Sequence, residues 1–261
     1  MVRCFEDPNI VHVDGSIDPI RDIETINLEL VFADLETVNK RLERAKKLLK
    51  GDKTYKAEID LLEKVKETLE QGKPARILEL SEEEKEIIKD SFLLTMKPIL
   101  YVTNVSENKI SEDNKYVEQV KEYAKNENAK VIKLCVKIEE ELSGLEDDDK
   151  KEMLEALGMN ESGLDKVIKE SYDLLGLMSF LTAGKPEVRA WTIKKGMKAP
   201  EAAGKIHSDI QRGFIRAEVV SYDDLIKLGS LNEAKEKGLV RSEGKEYIMQ
   251  DGDIVLFRFN V

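Results

Sequence analysis

The chain has 261 residues, 41% hydrophobic and 36% charged, with a formal net charge of −11. That apolar share suffices to bury a core, which excludes disorder throughout, and the length suits about two domains at roughly 150 residues each. No apolar run approaches the ~20 residues of a membrane span, and the opening MVRCFEDPNI lacks a basic-then-apolar signal pattern. Two cysteines far apart in sequence (Cys4, Cys135) and two histidines (His12, His207) are too sparse for a disulfide framework or a Cys/His zinc site. A reducing, cytoplasmic setting without a metal centre is the expectation. Residues 178–261 carry 14 basic and 12 acidic side chains, whereas residues 1–177 carry 28 and 41. An acidic body and a near-neutral C-terminal piece suggest two units with different partners.

In chain order, Val2-Arg3-Cys4-Phe5 reads as a short strand that stops at the turn Glu6-Asp7-Pro8-Asn9. Residues 22 to about 50 form the strongest helix, with Leu28, Val31, Leu35, Val38, Leu42, Ala45 and Leu49 as a heptad seam. Gly51-Asp52-Lys53 interrupts it. A second helix over about 54–71, with Tyr55, Ile59, Leu62, Val65 and Leu69 on one side, ends at Gly72-Lys73-Pro74. The two make a helical hairpin, either purely structural or an arm that touches a partner. Ser81 with Glu84 is a capping box opening a short helix to about Ser91.

Pro98 to Val102 is a nearly continuous apolar run, as in a strand buried on both faces. A helix over about 116–125, a second such strand at Val131–Cys135 and a helix over 137–142 complete a βαβ pattern. Helices over 147–157 and 163–177 follow, the acidic run Glu146 to Asp149 suiting a helix N-terminus. After Gly176 the texture changes to short strands and turns. Helices are expected near 199–210 and 222–227, and apolar segments at Tyr247-Ile248-Met249 and Ile254–Phe259 close the chain.

Asn104-Val105-Ser106-Glu107 follows directly on the buried strand, at the carboxyl end where open α/β sheets bind ligands. An Asn with an acidic residue three positions on is similar to the base-reading loop of P-loop GTPases, Asn-Lys-x-Asp, whose Asp accepts two hydrogen bonds from guanine. Glu in that place should weaken a guanine preference. Further segments carry a wider resemblance: Val2 to Glu6, Asp18-Pro19 through Asn27, Tyr101 through Glu107, Phe180 to Gly184, Glu187 to Thr192, Ile206 to Asp209, Gly213 to Val219, Asp251-Gly252-Asp253, and the ending Arg258 to Val261. On these the chain resembles the YchF/Obg-like ATPases, of the TRAFAC class of P-loop NTPases, along essentially its whole length.

The resemblance implies an α/β remnant of a GTPase-like domain (residues 1–27 and 93–177, three parallel strands with helices), an inserted helical, coiled-coil arm (28–92), and a C-terminal α+β β-grasp TGS domain (178–261). It implies ATP with Mg2+ in the complete family protein, hydrolysed in preference to GTP, and ribosome or RNA binding through the TGS domain. Asn104, Val105 and Glu107 would face the base, with the loop Cys135-Val136-Lys137 on its other side. The phosphate loop Gly-x-x-x-x-Gly-Lys-Ser/Thr, which cradles phosphates and magnesium, does not occur in these 261 residues; Gly184-Lys185 is followed by Pro186. In the family it and the switch segments lie upstream.

The expectations are therefore a truncated family member with no catalytic residues, weak or no nucleotide binding and no NTPase activity by itself. The alternative is a non-enzymatic RNA- or ribosome-binding module acting through the TGS domain and the arm. Lys194, Lys195, Lys198, Lys205 and Arg212 are candidate RNA-facing cations, or an ordinary solvated face. Trp191 is expected in the core, and His207 to pack and hydrogen-bond within its module. The first strand would be a bare sheet edge inviting self-association.

Overall fold

The computed structural model describes residues 1–184 and 187–260. Lys185, Pro186 and Val261, part of two of the segments quoted above, lie outside the described residues. The chain divides into two compact units, Met1–Ile168 and Lys169–Val261.

The first unit holds a three-stranded parallel sheet, order β1-β2-β3, made by β1 (Val2–Arg3), β2 (Leu100–Asn104) and β3 (Lys130–Leu134). Parallel neighbours need long crossovers. Between β1 and β2 the crossover contains α1 (Pro19–Leu48), α2 (Tyr55–Glu70) and α3 (Glu82–Ile88); between β2 and β3 it is α4 (Lys115–Asn126). α1 starts three residues before the periodicity indicates. Pro19 fits the first helical turn, and the Asp18 carboxylate accepts from the Ile20 and Arg21 amides at 3.2 Å each, so polar capping extends the helix beyond its apolar seam.

The hairpin of α1 and α2 has its own core. Val31, Val38, Leu42 and Ala45 are buried against Ile59, Leu62, Val65 and Leu69, with Leu35, Leu49 and Tyr55 partly buried at its margin. Leu28 departs from the expected seam and is exposed. Leu61 and Thr68, absent from the expected set, are buried on α2. The Ser81 capping box is present: the Glu84 amide donates to Oγ at 3.2 Å and the Ser81 amide to Glu84 Oε2 at 2.8 Å.

After β3 come α5 (Val136–Ser143), α6 (Asp147–Ala156) and α7 (Gly163–Leu174). Asp147, Asp148 and Asp149 do occupy the first turn of α6, where the helix dipole favours them. Glu139 of α5 accepts from the Gly163 amide at 2.7 Å and the Leu164 amide at 3.0 Å, capping α7.

The second unit is a five-stranded mixed sheet, order β5-β4-β8-β6-β7. In chain order its elements are β4 (Leu177–Ala183), β5 (Val188–Lys194), α8 (Ala199–Ile206), α9 (Ser208–Arg212), β6 (Phe214–Ser221), α10 (Tyr222–Leu228), α11 (Leu231–Glu236), β7 (Arg241–Glu243) and β8 (Asp253–Phe259). β4 and β8 run parallel; the other pairs are antiparallel. Phe180, Ile193, Phe214, Val219, Val255 and Phe257 pack with Ala199, Ala202 and Ala203, whose small side chains let α8 lie close on the sheet.

The structure corrects the single helix over 199–210, the packing of His207 and the core placement of Trp191. The helix over 199–210 is two helices: at His207 the backbone is extended (φ −161°), and the ring Nδ1 accepts from the Asp209 amide at 3.2 Å to cap α9. His207 thus hydrogen-bonds, but it is exposed rather than packed. The apolar segment Tyr247-Ile248-Met249 makes an isolated bridge between Lys198 and Ile248, while the short β7 and α11 lacked a readable pattern. Trp191 is partly buried at the margin of the core; its Nε1 donates to Thr182 Oγ1 at 2.9 Å and Arg189 stacks on its ring.

Candidate nucleotide-base site

The carboxyl ends of β1, β2 and β3 are laced together by Asn104, the last residue of β2. Its carbonyl accepts from the Cys4 amide at 2.8 Å, and its side-chain Oδ1 accepts from the Val136 amide at 3.0 Å. The Val105 amide donates to the Leu134 carbonyl at 2.9 Å, so the loops leaving β2 and β3 are held side by side. Val136 is the first residue of α5, whose first-turn amides have no partner within the helix. Asn104 therefore caps a helix from the strand next to the one that leads into it, and its amide Nδ2 has no hydrogen-bond partner among the described residues.

Of the expected base-side residues, the structure brings Asn104, Glu107 and the Val136 backbone to one end of the sheet. Glu107 opens a short 3-10 turn and takes an ion pair from Lys137 Nζ at 3.0 Å across the two loops. That carboxylate raises the lysine pKa above its ordinary value. Val105 and Cys135 are different: both side chains lie in the hydrophobic core under the sheet, leaving only their backbone to reach a ligand. Val136 is exposed.

Two further groups of polar side chains lie in this unit. The Asn114 side chain accepts from the Tyr116 and Val117 amides at 3.0 Å, capping α4, and donates to the Cys4 carbonyl at 2.7 Å. An Asn one residue before a helix is a readable cap; its link to β1 is a tertiary contact with no sequence signal. His12, Asp14 and Asp22 form the other cluster: His12 Nε2 lies 3.0 Å from Asp22 Oδ2, and the three ligand atoms fall within 4.8 Å of one another. Arg21 lies between them, 3.0 Å from Asp22 and 3.5 Å from Asp14, and its guanidinium supplies the positive charge a cation would otherwise bring. The spacing of these four residues carries no metal-site pattern, so the sequence did not single them out.

The candidate RNA-facing cations are all exposed. Lys195 pairs with Asp173 at 2.7 Å, Lys198 with Glu246, and Arg212 with Asp209 at 2.8 Å. Lys194 and Lys205 have no ion-pair partner among the described residues. Three of the five are thus each matched by a carboxylate.

Comparison with known proteins decides the lineage. The chain is 57% identical over 264 residues to a Bacillus subtilis protein described as "Ribosome-binding ATPase YchF", covering 100% of this chain and 72% of that one. The chain belongs to the YchF/Obg-like ATPase family. "Obg-like ATPase 1" of Rattus norvegicus is 43% identical, covering 100% of this chain and 67% of the relative. Residues 177–260 match the model of the YchF-GTPase C-terminal family, described as a protein of unknown function (DUF933). Among solved structures, that of the Schizosaccharomyces pombe YchF GTPase superposes with a TM-score of 0.84 at 37% identity, over 98% of this chain and 70% of that one. A GTP binding protein from Pyrococcus horikoshii shares the fold alone, with a TM-score of 0.58 at 19% identity over 96% and 75% of the two chains. No helix among the described residues is long and apolar enough to cross a membrane.

Proposed function

We propose that this chain supplies the base-reading side of a nucleotide site, together with a ribosome-directed C-terminal module, to a YchF-type ATPase. The observation that carries the reading is the Asn104–Val136 hydrogen bond. It holds two loops at the carboxyl ends of neighbouring parallel strands, where nucleotides bind in such sheets. Asn104 donates from Nδ2 to the acceptor edge of a purine, and the Val105, Cys135 and Val136 backbones line its faces. Glu107, drawn toward Lys137, no longer presents the free carboxylate that selects guanine, which favours adenine.

These residues fit a base. They do not fit triphosphate and Mg2+, because no glycine-rich cradle with its lysine and hydroxyl occurs in the 261 residues. No hydrolytic step is therefore assigned to them, and the 261-residue chain is inactive as an NTPase by itself. The domain reading places residues 1–27 and 93–177 in the nucleotide domain, 28–92 in the inserted arm and 178–261 in a β-grasp TGS domain. Ribosome association follows from the names of the bacterial relatives, with Lys194, Lys195, Lys198, Lys205 and Arg212 as its RNA-facing cations. The second reading, a non-enzymatic ribosome-binding module, is favoured by the same missing cradle.

Calorimetric titration with ATP and GTP tests the proposal, on this chain and on this chain joined to the phosphate-binding segment of the Bacillus subtilis relative. The joined protein should bind ATP more tightly than GTP and hydrolyse it, and Asn104→Ala should weaken binding. Robust magnesium-dependent turnover by the 261-residue chain would contradict the assignment. So would joined protein indifferent to Asn104. Light scattering tests the companion proposal that the open edge of β1 drives self-association; a stable monomer at high concentration would refute it.

A further inference from the structure

We propose that the outer edge of β5 is a docking edge at which an extended, acidic polypeptide segment adds to the C-terminal sheet as a sixth strand. β5 is terminal in the sheet order and pairs with β4 alone, through seven consecutive residue pairs from Leu177–Lys194 to Ala183–Val188. The Lys195 amide donates to the Gly176 carbonyl at 2.8 Å and the Gly184 amide to the Glu187 carbonyl at 3.0 Å. In an antiparallel pair this alternation turns the odd-numbered residues of β5 toward β4. Val188, Ala190, Thr192 and Lys194 therefore direct their N–H and C=O groups outward, a row about 20 Å long at ~3.4 Å per residue. Apart from the Lys194 carbonyl, which accepts from the Met197 amide at 3.2 Å, none of these groups has a partner among the described residues.

Open strand edges are usually blunted by shortness, lysine, proline or a bulge. The other edges of this protein follow that rule: β7 has three residues, β1 has two, and β3 carries Lys130 and Lys133. β5 has seven residues in unbroken register, no proline, and Val188, Ala190 and Thr192 exposed along it, Val188 at 68%. Its one lysine lies at its end.

Charge selects the occupant. From Glu187 to Lys195 the strand region carries Arg189, Lys194 and Lys195 against one acid. Lys195 is taken by Asp173, but Lys194 has no ion pair among the described residues. Arg189 reaches Glu187 only at 4.0 Å while stacked 4.3 Å over the Trp191 ring. Alternating donors and acceptors at strand spacing match a polypeptide backbone rather than a phosphodiester. A second copy of β5 would bring another net-positive strand against the first.

The test is an NMR titration of the 261-residue protein with a peptide of about ten residues alternating glutamate and valine, read by amide hydrogen exchange. Binding should be saturable, with the Ala190 and Thr192 amides slowed about tenfold or more in exchange. N-methylation of the peptide at alternate residues should lose about tenfold or more in affinity, as should Thr192→Pro, which removes an outward N–H that β4 does not use. Replacing the peptide glutamates by lysine, or Lys194→Glu in the protein, should also weaken binding. The proposal is overturned by absence of saturable binding, by indifference to N-methylation and Thr192→Pro, or by equal affinity for the lysine peptide. An oligoribonucleotide protecting the same amides, or a peptide-free dimer protecting them in sedimentation and exchange, would assign the edge to RNA or to a second copy and equally refute it.

Discussion

Asp34 and Thr95 lie 61 residues apart in sequence, yet Asp34 Oδ2 accepts from both the amide (2.7 Å) and the hydroxyl (2.6 Å) of Thr95. Asp34 Oδ1 accepts from the Leu94 amide at 2.8 Å, and Thr95 Oγ1 in turn accepts from the Ala75 amide at 3.0 Å. Asp34 is 2% exposed and Thr95 1% exposed, so this knot is shut away from water at the base of the arm. Truncating Asp34→Ala strands three donors, the two on Thr95 buried and the Leu94 amide part-buried, and should cost about 2–5 kcal/mol. Asp34→Asn, which keeps one acceptor oxygen, should cost less. Urea denaturation followed by circular dichroism measures both; equal stability of Asp34→Ala and wild type would show the knot to be dispensable.

Asp113 should give the first unit a measurable acid dependence. Hydrogen bonds from Lys121 and from Lys133, the latter at 2.8 Å, hold its carboxyl down at about 2. A depressed folded-state pKa stabilises fully above the unfolded value of about 4 and is lost as the pH falls through about 2. The pair is partly solvated, so the contribution should stay below about 1 kcal/mol. Denaturation midpoints of wild type and Asp113→Asn should therefore differ at pH 6 and converge toward pH 2. A gap that is constant with pH would argue that Asp113 acts through packing.

The thiols should be silent in the folded protein. Burial, with the nearby Asp22 charge, pushes the Cys4 thiol up to about 12, and Cys135 is buried in the same core. Thiolate is the reactive form. An aromatic disulfide reagent at neutral pH should label neither cysteine in native protein and both in guanidinium. Rapid native labelling would reveal opening of the sheet end that carries Asn104.

Asn104→Ala should act on stability as well as on ligand binding, because its side chain caps α5. A lost cap costs about 0.5–2 kcal/mol, and Asn104→Asp, which retains an acceptor for the Val136 amide, should recover most of it. Denaturation separates this from the nucleotide titration, where the aspartate lacks the Nδ2 donor and should not recover.

Gly213→Ala should damage the second unit. A Cβ there would lie 2.2 Å from the Asn260 carbonyl oxygen, a backbone atom that cannot swing aside, although φ at Gly213 is ordinary. Overpacking of this kind costs about 1–3 kcal/mol. Gly229→Ala has nothing within 4 Å but sits at φ +76°, so any loss there is backbone strain. Comparing the two variants by thermal melting distinguishes crowding from strain.

What could be read from the residues was whatever repeats at the helix or strand period, or caps by a local rule. The seam Val31-Val38-Leu42-Ala45, the Ser81 box and the buried runs at β2 and β3 are of that kind. Asp34 sits inside the seam yet is polar, and its partners arrive after an excursion of about sixty residues through the arm, so no local pattern announces it. At the candidate site, Asn104 and Glu107 were legible as a spaced motif beyond a buried strand. That Val105 and Cys135 turn inward, and that Lys137 answers Glu107, depends on the register of β2 against β3 and could not be read. Leu28 kept the heptad spacing and is exposed, because periodicity marks a stripe without saying how far the facing helix extends along it.

The arm is fastened to the sheet at more than one place. Beyond the Asp34 knot, Arg76, in a 3-10 turn after α2, pairs with Glu127 at 3.1 Å, and the Tyr101 hydroxyl of β2 donates to that same carboxylate at 2.7 Å. With 30 residues at ~1.5 Å each, α1 extends about 45 Å. A rod of that length pinned at its foot is a lever rather than a tether. A push at the tip around Gly51 is delivered through Asp34 and Arg76 to the root of β2, three residues before Asn104. If the loops hold a base as proposed, a force applied to the distal hairpin would act in series with their grip on it.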